Sequence, residues 1–405
     1  MQITAIDDLH ADGGWRVWSF LRVTTDEGVV GWSEYNETQW NQGLTMVIRK
    51  LAESLVGRDP RAVGRIGAEL YARTRLAPGG INQQAIAAIE NACLDVKARA
   101  LGIPVYALLG GPIRERLPVY WSHCGTFRAR NHELFERVIG TPPLRTLDDV
   151  KALGREAVQR GFRAVKTNPI LFGGDRPQML NPGFAVNGLD PAHNYDARVA
   201  RAITEQLAAL RDGLGPETGL LLDVNFAFRP EGLIRLGRAI EPFGLTWLEA
   251  DLDEPGALAH VRRSTATPIA SLESLYGRRG YRPYFDQYAV DVAVVDVPWN
   301  GLLESFRIAA MAETYDVNVA PHNYYGHLST LMSAHLGAAV PNFRILEIEA
   351  DDVPWKDDLV TRPPVIDDGE LVLPDGPGWG TQINEEAVRE HPPRSIGSSH
   401  WFAPD

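Results

Sequence analysis

From Leu117 to Ile348 the chain alternates short apolar runs with longer helical stretches, and that rhythm restricts its fold more than any other feature. The runs are Leu117–Trp121, Phe162–Lys166, Gly219–Asp223, Leu245–Glu249, Pro268–Leu272, Val292–Asp296, Val317–Ala320 and Arg344–Ile348. Apolar segments of this length read as buried strands. Helical periods lie between most of them, among them Leu147–Arg160, Asp196–Asp212, Glu231–Glu241, Leu302–Thr314 and Leu328–Ala338. Strands separated by helices run parallel, and eight of them argue a β/α barrel more than an open sheet.

The first hundred residues follow another pattern. Gln2–Leu9, Trp15–Thr25 and Gly28–Glu34 alternate as strands, with turns at Ala11-Asp-Gly-Gly14 and Asp26-Glu-Gly28. Helical periods follow at Gln42–Val56, Pro60–Arg73 and Ile81–Ala100, and Gly102-Ile-Pro104 stops the last of them. This is an α+β module, and 405 residues hold both it and a barrel of ~250. Near the other end, Val365-Ile-Asp-Asp-Gly-Glu-Leu-Val-Leu-Pro374 returns to strand and turn, as if the chain came back to the first module. The expected organisation is therefore 1–112, 113–362 and 363–405, the last ending in a tail.

Forty Lys and Arg against 52 Asp and Glu give a net charge of −12, which excludes general affinity for nucleic acid or anionic lipid. Cys93 and Cys124 are too few for a disulfide framework or a Cys-rich zinc module. No apolar run approaches the ~20 residues of a membrane span. Met1-Gln-Ile-Thr-Ala lacks the basic and apolar regions of a secretory signal. The chain reads as soluble and cytoplasmic.

Barrel active sites gather at the C-terminal ends of the strands, so the polar residues there carry the chemistry. Strand three ends in Asp223-Val-Asn225, strand four in Trp247-Leu-Glu249 and strand five in Ser271-Leu-Glu273. One such carboxylate alone is commonly a solvated loop residue. Three on successive strands would repel unless a cation bound them, and an all-oxygen set selects Mg²⁺. Strand six ends at Asp296 and strand seven at His322, so Asp296 can accept a hydrogen bond from the imidazole, fix its tautomer and raise its basicity. Lys166-Thr-Asn168 ends strand two, where the lysine could balance an anionic substrate. Glu347, on strand eight, could share a proton with a substrate oxygen.

At these residues the chain resembles the enolase superfamily, and within it the mandelate racemase subgroup. The likeness also takes in Asp95 on the helix Ala85–Ala100, Gly102-Ile-Pro-Val-Tyr-Ala-Leu-Leu-Gly-Gly111 and Gly376-Pro-Gly-Trp-Gly380. It implies an α/β architecture, a modified (β/α)₇β TIM-type barrel with an N-terminal α+β capping domain, and one Mg²⁺. Carried over, Asp223, Glu249 and Glu273 are the metal ligands, Asp296–His322 is the general-base dyad, and Glu347 hydrogen-bonds a substrate carboxylate. A homo-oligomer, dimer or octamer, is implied as well.

Two departures bear on the reaction. The racemase pattern places Lys-x-Lys on strand two, and here the second lysine is Asn168. Racemisation needs a base on each face of one carbon, whereas elimination of a β-hydroxyl needs one base and one acid, which can be the same histidine. The balance tips to dehydration of a sugar acid to a 2-keto-3-deoxy acid. Racemisation or epimerisation is the alternative, and a non-catalytic acid-sugar binder is the other. The second departure is Glu249-Ala-Asp251 in place of Glu-Glu-Pro, with Asp251 read as surface or supporting. Asn168, Asn225, His123, His193 and Tyr195 are candidate substrate-binding residues. Ile170–Asn194, rich in Gly, Pro and Asn, is expected to be a loop that closes over the site.

Overall fold

A computed structural model gives the structure of the chain and describes residues 1–38, 40–174, 176–182, 192 and 194–393. The expected strand-and-turn opening is an antiparallel sheet of β1 (Ile3–Asp12), β2 (Val17–Thr25) and β3 (Val30–Tyr35). Against it pack α1 (Leu44–Ala52), α2 (Val63–Arg73) and α3 (Gly80–Leu101). Buried residues run nearly all round α3, because it lies between this sheet and the barrel. Among the described residues no helix is long and apolar enough to cross a membrane.

The barrel begins at β4 (Arg116–Trp121) and continues through α4 (Leu147–Gln159), β5 (Ala164–Thr167), α5 (Ala197–Leu214), β6 (Gly219–Asp223), α6 (Pro230–Ile240) and β7 (Trp247–Glu249). It proceeds through α7 (Pro255–Arg263), β8 (Ile269–Ser271), α8 (Gly277–Asp286), β9 (Val292–Asp296), α9 (Leu302–Glu313), β10 (Asn318–His322), α10 (His327–Ala339) and β11 (Leu346–Ile348). Parallel pairing joins β4 through β10 in order, and β11 pairs with β4. The seam between β10 and β11 closes just before β11, where Val319 bridges Phe343 and Arg344 N donates to Val319 O at 2.8 Å. Among the described residues no α-helix lies between β11 and the hairpin that follows it, so the architecture is the expected (β/α)₇β barrel. Strand seven runs past its apolar stretch to His322, as its motif indicates, and includes Pro321 at the loss of one backbone donor.

Inward-pointing residues repeat every second position along each strand. Tyr120, Ala164, Leu221, Trp247, Ala270, Val294 and Ala320 fill the barrel interior as one apolar layer. Stepping two residues on from Ala164, Leu221, Trp247, Val294 and Ala320 gives Lys166, Asp223, Glu249, Asp296 and His322. The period that builds the core therefore lifts the polar residues directly above it.

The closing segment divides its contacts. β12 (Val365–Asp367) and β13 (Glu370–Val372) form a hairpin that pairs with β4, so this part packs on the barrel rather than on the first module. An antiparallel partner fits there because β4 offers backbone groups at its N-terminal end. Beyond the hairpin the chain does reach the first module. Asp95 of α3 accepts Trp379 N at 3.0 Å and Trp32 N at 2.8 Å, and Trp379 Nε1 donates to Trp32 O at 2.7 Å. Gly378 has φ +71°, and a Cβ there would stand 2.0 Å from Asp95 Oδ1, so only glycine fits. The last helix, α11 (Glu385–Glu390), is tied to β2 by Arg22–Glu385 at 2.7 Å.

Candidate active site

A cavity of about 350 Å³ opens above the polar layer, between the strand ends and the capping module. Its lining includes Lys166, Asn168, Asp223, Asn225, Glu273, His322, Glu347 and His123. This volume lies in the range of small-molecule sites.

Parallel register sets the dyad. Asp296 and His322 are direct partners across β9 and β10, and His322 Nδ1 donates to Asp296 Oδ2 at 2.7 Å. Tyr325 Oη donates to the same oxygen at 2.5 Å, and Trp299 N donates to Oδ1 at 2.7 Å. The acid is thus held from three directions, which leaves Nε2 as the nitrogen available to a ligand. Burial alone would lower the His322 pKa, but Glu273, 3.4 Å from Nε2, and Asp296 raise it to about 10. A divalent cation on Glu273 would weaken the first of these attractions and free the imidazole to accept a proton.

The three proposed ligands come from consecutive strand ends. Asp223 and Glu249 are register partners across β6 and β7. Glu273 lies two residues beyond β8, and simple alternation from Ala270 would turn it away. Leu272 corrects this with φ +91°, a left-handed backbone that a buried leucine adopts only under constraint. The constraint is Asp251, which accepts Ser271 Oγ at 2.6 Å and Leu272 N at 3.2 Å. Asp251, open in the sequence as surface or supporting, is buried and supports the turn that carries Glu273.

Lys166 is fully enclosed. Its Nζ donates to both oxygens of Glu249 at 3.1 and 3.2 Å, and it stands 2.9 Å from Glu347 and 4.0 Å from Asp223. Glu347 also accepts the Ser122 hydroxyl and Asn323 N, the latter at 2.8 Å. Burial would raise the Glu347 pKa, yet Lys166 and the donors around it hold the carboxyl well below its ordinary value. An ionised carboxylate only accepts, so Lys166 is the donor of this pair and Glu347 its acceptor.

Five acids, Asp223, Glu249, Glu273, Asp296 and Glu347, thus face two basic groups, Lys166 and His322. Burial pushes the Asp223 and Glu273 carboxyls up and Glu249 to about 7. Among the described residues no three ligating groups stand close enough to hold an ion as the side chains lie, because Lys166 draws Glu249 and His322 draws Glu273. The donor chemistry itself fits a hard divalent cation: three carboxylates on adjacent strand ends, short of positive charge.

The other expected residues divide. Asn168 lines the cavity with its amide already engaged, Nδ2 to Asp223 Oδ2 at 3.2 Å and Oδ1 from Thr126 at 3.0 Å. Asn225 lines it with φ +48°, its N–H donating to Asp223 Oδ1 at 2.8 Å. His123 lines it with Nδ1 3.1 Å from Glu349, and burial lowers its pKa to about 3. Tyr195 stands apart, exposed and stacked under Arg235, and does not line the cavity. Its N–H is taken by Glu231, which fixes the entry to α5. His193 lies outside the described residues, as do 175 and 183–191 of the expected closing loop. Sequence reasoning passed over Tyr325, although it stands three residues after His322, and Arg16, a charged residue between Trp15 and Trp18.

A capped (β/α)₇β barrel with carboxylates on three consecutive strand ends and a His–Asp dyad beside them defines a class of acid–base enzymes. A model described as enolase C-terminal domain-like matches residues 149–387, and the mandelate racemase / muconate lactonizing enzyme N-terminal domain matches 16–110. The chain belongs to the enolase superfamily, in its mandelate racemase subgroup. It is 28% identical to D-xylonate dehydratase of Haloferax volcanii, over 96% of this chain and 89% of that one. It is likewise 28% identical to D-gluconate dehydratase of Thermoproteus tenax, over 94% and 71%. A Burkholderia xenovorans LB400 protein provisionally described as an L-alanine-DL-glutamate epimerase, solved with magnesium and fumarate, superposes with a TM-score of 0.94 at 46% identity, over 98% of each chain.

Proposed function

We propose that this protein is a Mg²⁺-dependent hydro-lyase that removes water from a polyhydroxy carboxylate, a sugar acid, to give a 2-keto-3-deoxy acid. The observation that carries the reading is the strand-two pair: Asn168 is bound to Asp223, and Lys166 is clasped by Glu249 and Glu347, so proton transfer rests on His322. The names of the xylonate and gluconate dehydratases support the substrate class, and magnesium in the Burkholderia protein supports the ion.

Asp223, Glu249 and Glu273 would hold Mg²⁺, which supplies Lewis-acid stabilisation of the charge that grows on the substrate carboxylate. The Lys166 ammonium donates to that carboxylate, kept in place by Glu347 and Glu249. His322 Nε2 takes the α-proton while Asp296 holds the Nδ1–H tautomer and offsets the new imidazolium charge. The same imidazolium then gives its proton to the 3-hydroxyl as it leaves from that face, and the enol product tautomerises to the keto acid.

The test is a panel of acid sugars incubated with enzyme and Mg²⁺ in D₂O and followed by proton NMR. A 2-keto-3-deoxy acid is expected, lost with EDTA and with His322→Asn. The description of the Burkholderia protein favours epimerisation as a second reading. Deuterium at the α-carbon, or an epimer, with no keto acid would establish that reading instead.

A further inference from the structure

The cavity reaches beyond the proton-transfer site toward the β1–β2 turn of the capping module. The His322 and Tyr324 rings lie 5.2 Å apart, Tyr324 stacks on Trp15 at 6.3 Å, and the Arg16 guanidinium lies 3.6 Å over the Trp15 ring. Trp15, Arg16 and Tyr324 line the cavity, and Arg130 joins them.

Arg16 is 4% exposed, and its Nε and Nη1 are buried with no hydrogen-bond partner among the described residues. Only Nη2 is engaged, with Asp352 Oδ2 at 2.5 Å and Tyr325 O at 3.5 Å. That Asp352 oxygen also accepts Lys356 Nζ at 2.7 Å, so one carboxylate serves two cations. Glu349 and Glu34 are the other acids that feel the Arg16 charge, and burial pushes both carboxyls up. Trp299, on the His322 side of the cavity, also has a buried Nε1–H without a partner. Buried donors of this kind call for an acceptor-rich group. An arginine fork matches a carboxylate better than it matches a hydroxyl.

We propose that Arg16 binds a second carboxylate at the far end of the substrate, so that the preferred sugar acids are dicarboxylates of the aldaric type rather than aldonates. This rests on the sugar-acid reading for its substrate class, but it makes a separate claim about binding. Arg16 is a specificity-determining residue in this account, and the aromatic wall of Trp15 and Tyr324 spans the distance between the two carboxylates.

Two measurements test it with the full-length protein and Mg²⁺. In calorimetric titration, succinate should bind at least tenfold tighter than butyrate, and Arg16→Met should remove most of that difference. In the NMR assay, galactarate and glucarate should show kcat/KM values at least tenfold above galactonate and gluconate, through KM, and Arg16→Met should collapse the ratio. Should the Met variant fold poorly, the wild-type ratios decide. Equal binding of the two acids, or turnover that favours aldonates, overturns the second-carboxylate site and leaves the dehydratase standing. Tight succinate binding with no keto acid from any substrate supports the site and removes the dehydratase.

Discussion

Asn168 Nδ2 donates to Asp223 Oδ2 at 3.2 Å, so the position where a second lysine would supply a base instead orients a carboxylate. The amide oxygen, held by Thr126 at 3.0 Å, prevents the side chain from turning into the cavity. Groups that orient metal ligands typically account for 10–100-fold in affinity or activity. Asn168→Ala should therefore weaken Mg²⁺ binding by about tenfold, measured by calorimetry. It should also leave recovered substrate unepimerised, as in the wild type. Unchanged Mg²⁺ affinity would remove Asn168 from the ligand set's support.

Lys166 is the counter-charge for a cluster that is otherwise acidic. Replacing it with Met strands Glu249 and Glu347 without their ammonium, and losing one member of a buried pair costs roughly 3–5 kcal/mol. The expected result is a large loss of stability in EDTA that Mg²⁺ partly restores, because the ion supplies charge to the same carboxylates. Activity should fall at least a hundredfold. Chemical denaturation with and without Mg²⁺ reads the first effect, and full retention of kcat would exclude the lysine from substrate binding.

Most of this arrangement is legible in the sequence because barrel strands repeat inward residues with period two. The same period that marks Leu221 and Trp247 as core marks Asp223 and Glu249 as rim. Glu273 shows the limit: its carboxylate is visible, but its aim depends on φ +91° at Leu272, and leucine carries no sequence signal for that geometry. For Asp251 the sequence leaves the surface and supporting roles open, since hydrogen bonds to the next strand decide between them. Tyr195 was singled out by loop position alone, and loop position does not say which way a side chain faces. Arg16 escaped notice because it belongs to the capping module, hundreds of residues from the strand ends it faces, and no periodic pattern links the two.

Tyr325 and His322 share one oxygen of Asp296, so the phenol moderates how strongly the acid pulls on the imidazole. Tyr325→Phe removes a donor and makes Asp296 more negative toward His322. The imidazole pKa then rises, and the acidic limb of the kcat/KM profile should move to higher pH by about half a unit to one unit, or ~1 kcal/mol. A lost hydrogen bond to a charged group also costs about 1.5–3 kcal/mol of stability. A profile that stays in place while stability falls would mean the tyrosine is structural only.

Glu34 of β3 caps α10, accepting Gly326 N at 2.6 Å and Ser329 N at 2.9 Å, and so binds the capping module to the helix that follows His322. Burial pushes its carboxyl from 4.5 up to about 7, against the lowering effect of those two N–H groups. Between these values the folded state holds the proton more tightly than the unfolded chain. The stability that this supplies is complete below pH 4.5 and is lost as pH rises through 7, at about 1.4 kcal/mol per unit. Glu34→Gln cannot ionise, so its stability relative to wild type should climb by roughly 2–3 kcal/mol between pH 5 and pH 8. Urea unfolding of both proteins across that range measures the difference. A gap that is constant with pH would show that Glu34 keeps its charge in the folded protein at no cost, and that the interface between module and barrel is wetter than its geometry indicates.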